Sequence, residues 1–287
     1  MKSIRILVLG ATGLIGSTLF KALSKNAKLS VFGSVRDSKA TIFFPSPLAE
    51  NLICDVEASS YKKWRSTFKN LKPDIVINCI GVTKHVAGGG DPLVTIPVNS
   101  YFPHFLNTLC RTNEVRLIHI SSDCVFSGAR GAYLECDIPD ARDFYGESKA
   151  LGELRDGPAI TLRTSTIGHE LHSSIGLLDW FLGQKDSCQG YKEAYFSGVS
   201  TLELARIIEH YILPNPQLHG LYHVGAHKIS KFDLLTQIAS IYGKKIEIIP
   251  NNTFKIDRSL NSDRFYKATG YTPPSWTQLI KEMHLSK

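Results

Sequence analysis

The chain has 287 residues, 43% of them apolar and 21% charged, which is ample material for a large core and unlike the composition of a disordered chain. Lys and Arg exceed Asp and Glu by 33 to 26, a formal +7. The basic residues form no block of about five in a row, so a solvated surface or small phosphorylated ligands account for the excess and a nucleic-acid stripe does not. No run approaches the roughly 18 apolar residues of a membrane span. Met1 to Leu9 resembles the start of a signal peptide, but its apolar run breaks at Gly10 without a small-residue cleavage site. The six cysteines (Cys54, Cys79, Cys110, Cys124, Cys136, Cys188) contain no C-x-x-C pair. They read as reduced thiols of a cytoplasmic protein with no membrane or nucleic-acid partner.

In chain order, Ile4 to Leu9 predicts a buried strand, Leu14 to Leu23 a helix and Leu29 to Val35 a second strand. A third strand ends near Asn51 to Cys54, and Asp74 to Asn78 reads as a fourth. Val98 to Arg111 predicts a helix and Val115 to Ile120 a strand. A helix from Tyr145 to Arg155 leads to a strand at Ile160 to Arg163. This alternation implies an α/β fold, a Rossmann-type doubly wound parallel sheet over residues 1–168. Beyond it, helical segments near Leu202 to Tyr211, Lys231 to Tyr242 and Trp276 to Met283 are separated by Pro214-Asn215-Pro216, Pro250-Asn251-Asn252 and Pro273-Pro274. They suggest a smaller mixed C-terminal substrate lobe over 169–287, with the chain able to cross between lobes. Ligands in open parallel sheets bind at the carboxyl ends of the strands, so the site is expected where the lobes meet.

Gly10-Ala11-Thr12-Gly13-Leu14-Ile15-Gly16 follows the first strand and opens the first helix. Glycine permits the tight turn, and a helix N-terminus offers free N–H groups to a pyrophosphate. At the end of the second strand, Arg36 with Ser34 as a hydroxyl helper favours a ribose 2′-phosphate and therefore NADP(H). Asp37 would take that place if the strand ended one residue later. Asp55, with Val56 after it, reads either as an adenine acceptor or as a loop or helix-cap aspartate. Cys79, Ile80 and Gly81 follow the fourth strand over the expected cofactor; Cys79 reads as a small packing residue rather than a nucleophile.

Tyr145-Gly146-Glu147-Ser148-Lys149 puts a phenol and an ammonium on one helical face, where the cation stabilises the phenolate and lowers a pKa of about 10. Ser122, at the end of a preceding strand, supplies a hydroxyl to the same substrate oxygen. These segments, with Asn78 to Gly81, Ser121 to Gly128 and Leu162-Arg163-Thr164-Ser165, resemble an extended short-chain dehydrogenase/reductase, more narrowly of the dTDP-4-dehydrorhamnose reductase type. Arg258-Ser259-Leu260-Asn261-Ser262 resembles that family's R-x-x-N-S stretch, so the likeness runs through most of the chain. It implies that Tyr145 is the general acid, that Lys149 tunes it and holds the nicotinamide ribose, that Ser122 positions the carbonyl, and that Asn99 supports the lysine's water relay. It also implies sugar contacts from Thr83, Lys84, His85, Asp123, Cys124, Val125 and Arg258.

Two departures fall near the sugar. Cys124 stands where the family commonly has a tyrosine, and Lys84-His85 replaces a polar and aspartate pattern. Related proteins act on UDP-linked 2-acetamido-4-keto-6-deoxyhexoses, and Val125 to Gly128 and Tyr191 to Val199 look similar to that branch. The resemblance therefore implies NADPH-dependent reduction of a nucleotide-activated 4-keto-6-deoxy sugar for surface polysaccharide synthesis, in a homodimer. A non-catalytic NADP-binding subunit and a nucleotide-sugar epimerase or dehydratase are the alternatives. His169-Glu170-Leu171-His172 lacks the i, i+4 spacing of a zinc helix, so no metal is expected. Gly88-Gly89-Gly90 reads as a mobile loop, and Lys192 to Phe196 as either a diphosphate contact or an ordinary surface segment.

Overall fold

A computed structural model describes residues 3–84, 88–155 and 157–286. Its strands are β1 Ile4–Leu9, β2 Leu29–Ser34, β3 Leu52–Ile53, β4 Ile75–Asn78, β5 Arg116–Ser122, β6 Ile160–Thr164, β7 Thr166–Ile167, β8 Ser187–Phe196, β9 Val199–Ser200, β10 Gly220–His223, β11 Ile229–Ser230 and β12 Glu247–Asp257. The α-helices are α1 Leu14–Leu23, α2 Ser46–Ala49, α3 Tyr61–Leu71, α4 Pro92–Thr95, α5 Phe102–Thr112, α6 Phe144–Leu151, α7 Leu177–Gly183, α8 Thr201–Ile207, α9 Lys231–Tyr242, α10 Asp263–Thr269 and α11 Trp276–Leu285.

Seven strands form a parallel sheet in the order β10-β6-β5-β4-β1-β2-β3, the doubly wound arrangement expected from the alternating sequence. The apolar runs are continuous because both faces are covered. In β1, Ile6 and Val8 enter one core with Leu19 and Phe20 of α1, while Leu7 and Leu9 enter another with Trp64, Phe68, Phe102 and Leu106.

Three local outcomes differ from the sequence reading. The helix expected from Val98 begins at Pro92, where Asp91 accepts a hydrogen bond from the Leu93 N–H at 2.8 Å as its cap. Between α4 and α5 the chain widens into a π-helical turn, Ile96–Tyr101, around Pro97, which has no N–H to donate. Helix α6 stops at Leu151 rather than Arg155, with Gly152 as its cap, packed so close to the Asn99 carbonyl that a Cβ there would collide with it. Finally, Pro250-Asn251-Asn252 is not a break but part of β12. This strand sits at the edge of a sheet ordered β11-β8-β12, where a missing N–H interrupts no central ladder.

The C-terminal half is not a separate body. From β8 the chain returns through α8 and β10, which completes the large sheet beside β6. Thr18 of α1 bonds Thr201 of α8 at 3.1 Å, and Asn26 bonds Glu209 at 2.7 Å. The smaller lobe is thus built mainly from β8, β11, β12, α9 and the segment around Arg258. No helix among the described residues is long and apolar enough to cross a membrane.

Gly10 has φ +78, and a Cβ on Gly16 would overlap the Gly10 carbonyl, whereas a Cβ on Gly13 would meet that oxygen at an ordinary 3.5 Å. Gly16→Ala should therefore cost about 1–3 kcal/mol of unfolding free energy by overpacking, and Gly13→Ala clearly less. Equal denaturation midpoints for the two variants would contradict close packing of Gly16 on the turn.

Candidate active site

The glycine turn is closed by its own backbone: the Gly13 N–H donates to the Gly10 carbonyl at 3.0 Å and the Ser17 N–H to the Gly13 carbonyl at 2.9 Å. Gly13 is exposed, and Thr12, Leu14 and Ile15 are half-buried around the start of α1. The outer face of the turn is therefore open, with helix N–H groups directed outward for an anion. Across the crevice, Gly10 approaches Ile80 so closely that a Cβ would sit 3.2 Å from its Cγ1.

Ser34 does not face a ribose. It is buried, and its hydroxyl accepts from the Gly10 N–H at 3.2 Å, so it shapes the glycine turn. Asp37 caps a 3-10 turn by accepting from the Lys39 N–H at 2.8 Å. Arg36 is exposed and has no acidic partner among the described residues. Asp55 is exposed at φ +58, and its carboxylate accepts from the Ser38 N–H at 3.1 Å; Val56 packs inside the core.

At the end of β5 the chain turns at Ser122, whose hydroxyl accepts from the Cys124 N–H at 3.1 Å and donates to Asp123 at 3.2 Å. The turn directs Val125 inward, against Phe126, Tyr133 and Leu260, so Val125 is a core residue and not a sugar contact. Helix α6 starts where Asp143 accepts from the Gly146 N–H at 2.8 Å, and this cap sets Tyr145 in the first turn. Burial pushes the Tyr145 phenol up, helped by Cys124, Asp123 and Asp143 and opposed by a hydrogen bond with Ser122. Lys149, one turn on, is buried and donates to the Ile120 carbonyl at 2.8 Å. Burial lowers the ammonium to about 8, with Glu153 and Cys79 opposing. The expected lowering of the phenol by Lys149 is therefore not the dominant effect here; desolvation is.

Asn99 lies in the π turn. Its amide donates to the Val82 carbonyl at 2.9 Å and to Ser148 Oγ at 3.0 Å, and it accepts from the Val82 N–H at 2.9 Å. It thus ties the segment after β4 to α6 and carries Gly81 to the lysine: a Cβ on Gly81 would lie 3.9 Å from Lys149 Nζ. Cys79 is pushed up to about 12 by burial and stays a thiol.

On the substrate side, Thr83 and Lys84 are exposed, and His85 lies outside the described residues. Asp123 is buried, which raises its carboxyl, with Arg258 and Lys231 opposing. Arg258 donates to the Phe126 carbonyl at 2.7 Å and approaches Cys124 Sγ at 3.7 Å. Lys231, read in the sequence only as the start of a helix, begins α9 with its ammonium 4.5 Å from the Phe196 ring centroid and acts on Asp123. Its place, at the start of α9 directly after β11, follows from the tertiary fold and from no local motif. His169 is held between Asp179 at 3.1 Å and Tyr242 at 3.0 Å.

A probable low-salt glycan biosynthesis reductase, Agl14 of Haloferax volcanii, is 34% identical over 165 residues, 56% of this chain and 52% of that protein, so the match spans about half of that relative. The methionine adenosyltransferase 2 subunit beta of Danio rerio is 27% identical over 83% of this chain and 74% of its own. The crystal structure of dTDP-4-dehydrorhamnose reductase from Bacillus anthracis in complex with NADP shares the fold, with a TM-score of 0.81 at 19% identity over 100% of this chain and 99% of that one. The family model described as the RmlD substrate binding domain matches residues 4–285, and the chain belongs to that family.

Proposed function

We propose that the protein is an NADPH-dependent reductase of the 4-keto group of a nucleotide-activated 6-deoxy sugar, acting in surface polysaccharide synthesis. The observation that carries this reading is the meeting of Ser122, Tyr145 and Lys149 at the carboxyl edge of the sheet, beside the glycine turn. The names of the relatives support the same reaction class: one is a glycan biosynthesis reductase, and a fold neighbour is a sugar-nucleotide reductase with NADP.

The cofactor fits features of the chain itself. The open face above Gly13 and the N-terminus of α1 suit a pyrophosphate, and the unpaired Arg36 suits a 2′-phosphate. A bound NADPH supplies the hydride for the keto carbon. Tyr145 donates its proton to the keto oxygen, and burial keeps that proton on the phenol at neutral pH. Ser122 holds the same oxygen from the strand end. Lys149, charged below about 8, stabilises the phenolate that remains and binds the ribose. Arg258, Lys231, Lys84 and Asp123 surround the sugar, and a homodimer is the working assembly.

Tyr145→Phe should lower turnover by about 10²–10⁴-fold with NADPH affinity retained. A parental rate would remove Tyr145 as the acid. If the parent protein binds NADPH yet reduces none of a panel of dTDP- and UDP-linked 4-keto-6-deoxy sugars, the second reading gains: a cofactor-binding subunit, as the similarity to an adenosyltransferase beta subunit suggests.

Arg36→Ala should weaken NADPH by about tenfold or more, the worth of a charge-assisted hydrogen bond, and leave NADH nearly unchanged. Equal losses for both cofactors would make Arg36 structural.

Cys124 stands where the family commonly has a tyrosine, and the smaller side chain would leave room for a bulkier group at a neighbouring sugar carbon. UDP-2-acetamido-2,6-dideoxy-4-keto hexoses should thus be reduced with higher kcat/KM than dTDP-4-dehydrorhamnose, by about 10–200-fold at most. The reverse preference would return the enzyme to the plain deoxyhexose.

A further inference from the structure

Glu153, Arg163 and His223 come from the end of α6, from β6 and from β10, and their side chains are fully buried in one connected array. Arg163 grips Glu153 with two parallel bonds, Nε to Oε1 at 2.6 Å and Nη2 to Oε2 at 2.7 Å. Ser121, the neighbour of Ser122, donates to the same carboxylate at 2.9 Å, and Arg155 donates to it at 3.1 Å. The remaining arm of Arg163, Nη1, meets His223 Nε2 at 3.2 Å. A guanidinium only donates, so Nε2 accepts and the ring proton sits on Nδ1. That proton faces two carbonyls, Tyr133 at 3.1 Å and Asn261 at 3.2 Å. Those carbonyls belong to a pair of segments that also bond each other, Tyr133 N–H to Ser259 at 2.9 Å and Asn261 N–H to Tyr133 at 2.8 Å. The second segment carries Arg258, which reaches Cys124.

We propose that Glu153, Arg163 and His223 act as positioning residues that fix a buried carboxylate four residues beyond Lys149 at one end and seat the 258–262 segment against the sugar at the other. Glu153 follows Lys149 by four residues and is the largest influence opposing the effect of burial on its ammonium. The other groups facing Lys149 are Cys79 from the end of β4, His119 of β5, and the Ile120 carbonyl. Burial holds Cys79 as a neutral thiol and His119 as a neutral imidazole, so among these groups Glu153 is the anion, with Arg163 and Arg155 as its own cationic partners. His223 is held neutral by burial and by Arg163, with Asp137 as the opposing charge and Glu135 bonded only to its backbone N–H. Protonating it would set a donor against Arg163. A buried pair of this kind adds little net stability over apolar packing, which favours a geometric role for it.

The proposal rests on the reductase reading for its sugar end and on cofactor binding alone for its lysine end, so the two can fail separately. The first experiment measures the NADPH dissociation constant against pH by nicotinamide fluorescence. Affinity should fall as Lys149 loses its charge, with a midpoint near 8 in the parent. Glu153→Gln should move that midpoint down by about one pH unit. Glu153→Asp, which keeps the charge one methylene further back, should move it only part of the way. If the glutamine variant does not fold, the aspartate variant carries the test. A parental midpoint in the folded variant overturns the lysine end, since a merely structural residue would lower thermal stability without moving it. In the second experiment, His223→Asn should raise KM for the sugar nucleotide by about tenfold with NADPH affinity unchanged. An unchanged KM overturns the sugar end. A parent that reduces no sugar sinks the reductase reading and leaves the midpoint result standing.

Discussion

The strand order of the large sheet reverses between β1 and β4, and the rest of the molecule depends on that reversal. On one side the chain leaves β1 for α1; on the other it leaves β4 for the segment that Asn99 ties down. The two exits diverge and open a crevice at the carboxyl edge. Its width is set by backbone contacts: Gly10 lies against Ile80, and Gly16 lies against the Gly10 carbonyl, so a side chain at either glycine would close the crevice or push the turn apart. Ser122 and α6 stand over the same edge because β5 is the next strand outward from β4. The position of the chemistry is thus a result of topology before it is a result of any single side chain.

Desolvation acts on the two central groups in opposite directions, and both directions suit the same task. Burial favours the neutral form of each group, which keeps the proton on Tyr145 and loosens the proton on Lys149. A phenol that holds its proton is a donor waiting for a developing alkoxide. A lysine brought down to about 8 still carries charge at neutral pH, with a carboxylate opposing the effect of burial. Cys79 and Cys124, both pushed up to about 12, do not compete with the phenol as acids near neutrality.

The large sheet was legible in the sequence because buried parallel strands write themselves as apolar runs, and because three glycines at a strand-to-helix junction mark a turn too tight for side chains. Side-chain direction at the strand ends was less legible. Ser34 and Val125 are buried where the sequence reading had them face a ligand, because neither the end of β2 nor the 3-10 turn after β5 announces in the sequence which way its side chains point. The C-terminal lobe was read least well. The long strand β12 contains Pro250-Asn251-Asn252, a sequence that ends central strands and is tolerated at an edge. Lys231, Glu153 and His223 carry no local signature, because each matters through groups far away in the chain.

The return of the chain into the sheet at β10 explains why a polar array could arise at that point. His223 lies at the end of β10 and is packed beside β6, while its ring faces the segment that supports Arg258. An apolar residue there would fill the space but leave the Tyr133 and Asn261 carbonyls and one arm of Arg163 without partners, a cost of about 1–3 kcal/mol for each buried group. Replacing the whole array with apolar side chains would avoid that cost but would remove the directional contacts between β6, β10 and the 258–262 segment. Hydrogen bonds fix direction where apolar packing fixes only distance. On the proposed reading, a site that must align a carbonyl with both a phenol and a cofactor depends on direction, and the array would extend that constraint from α6 to the 258–262 segment.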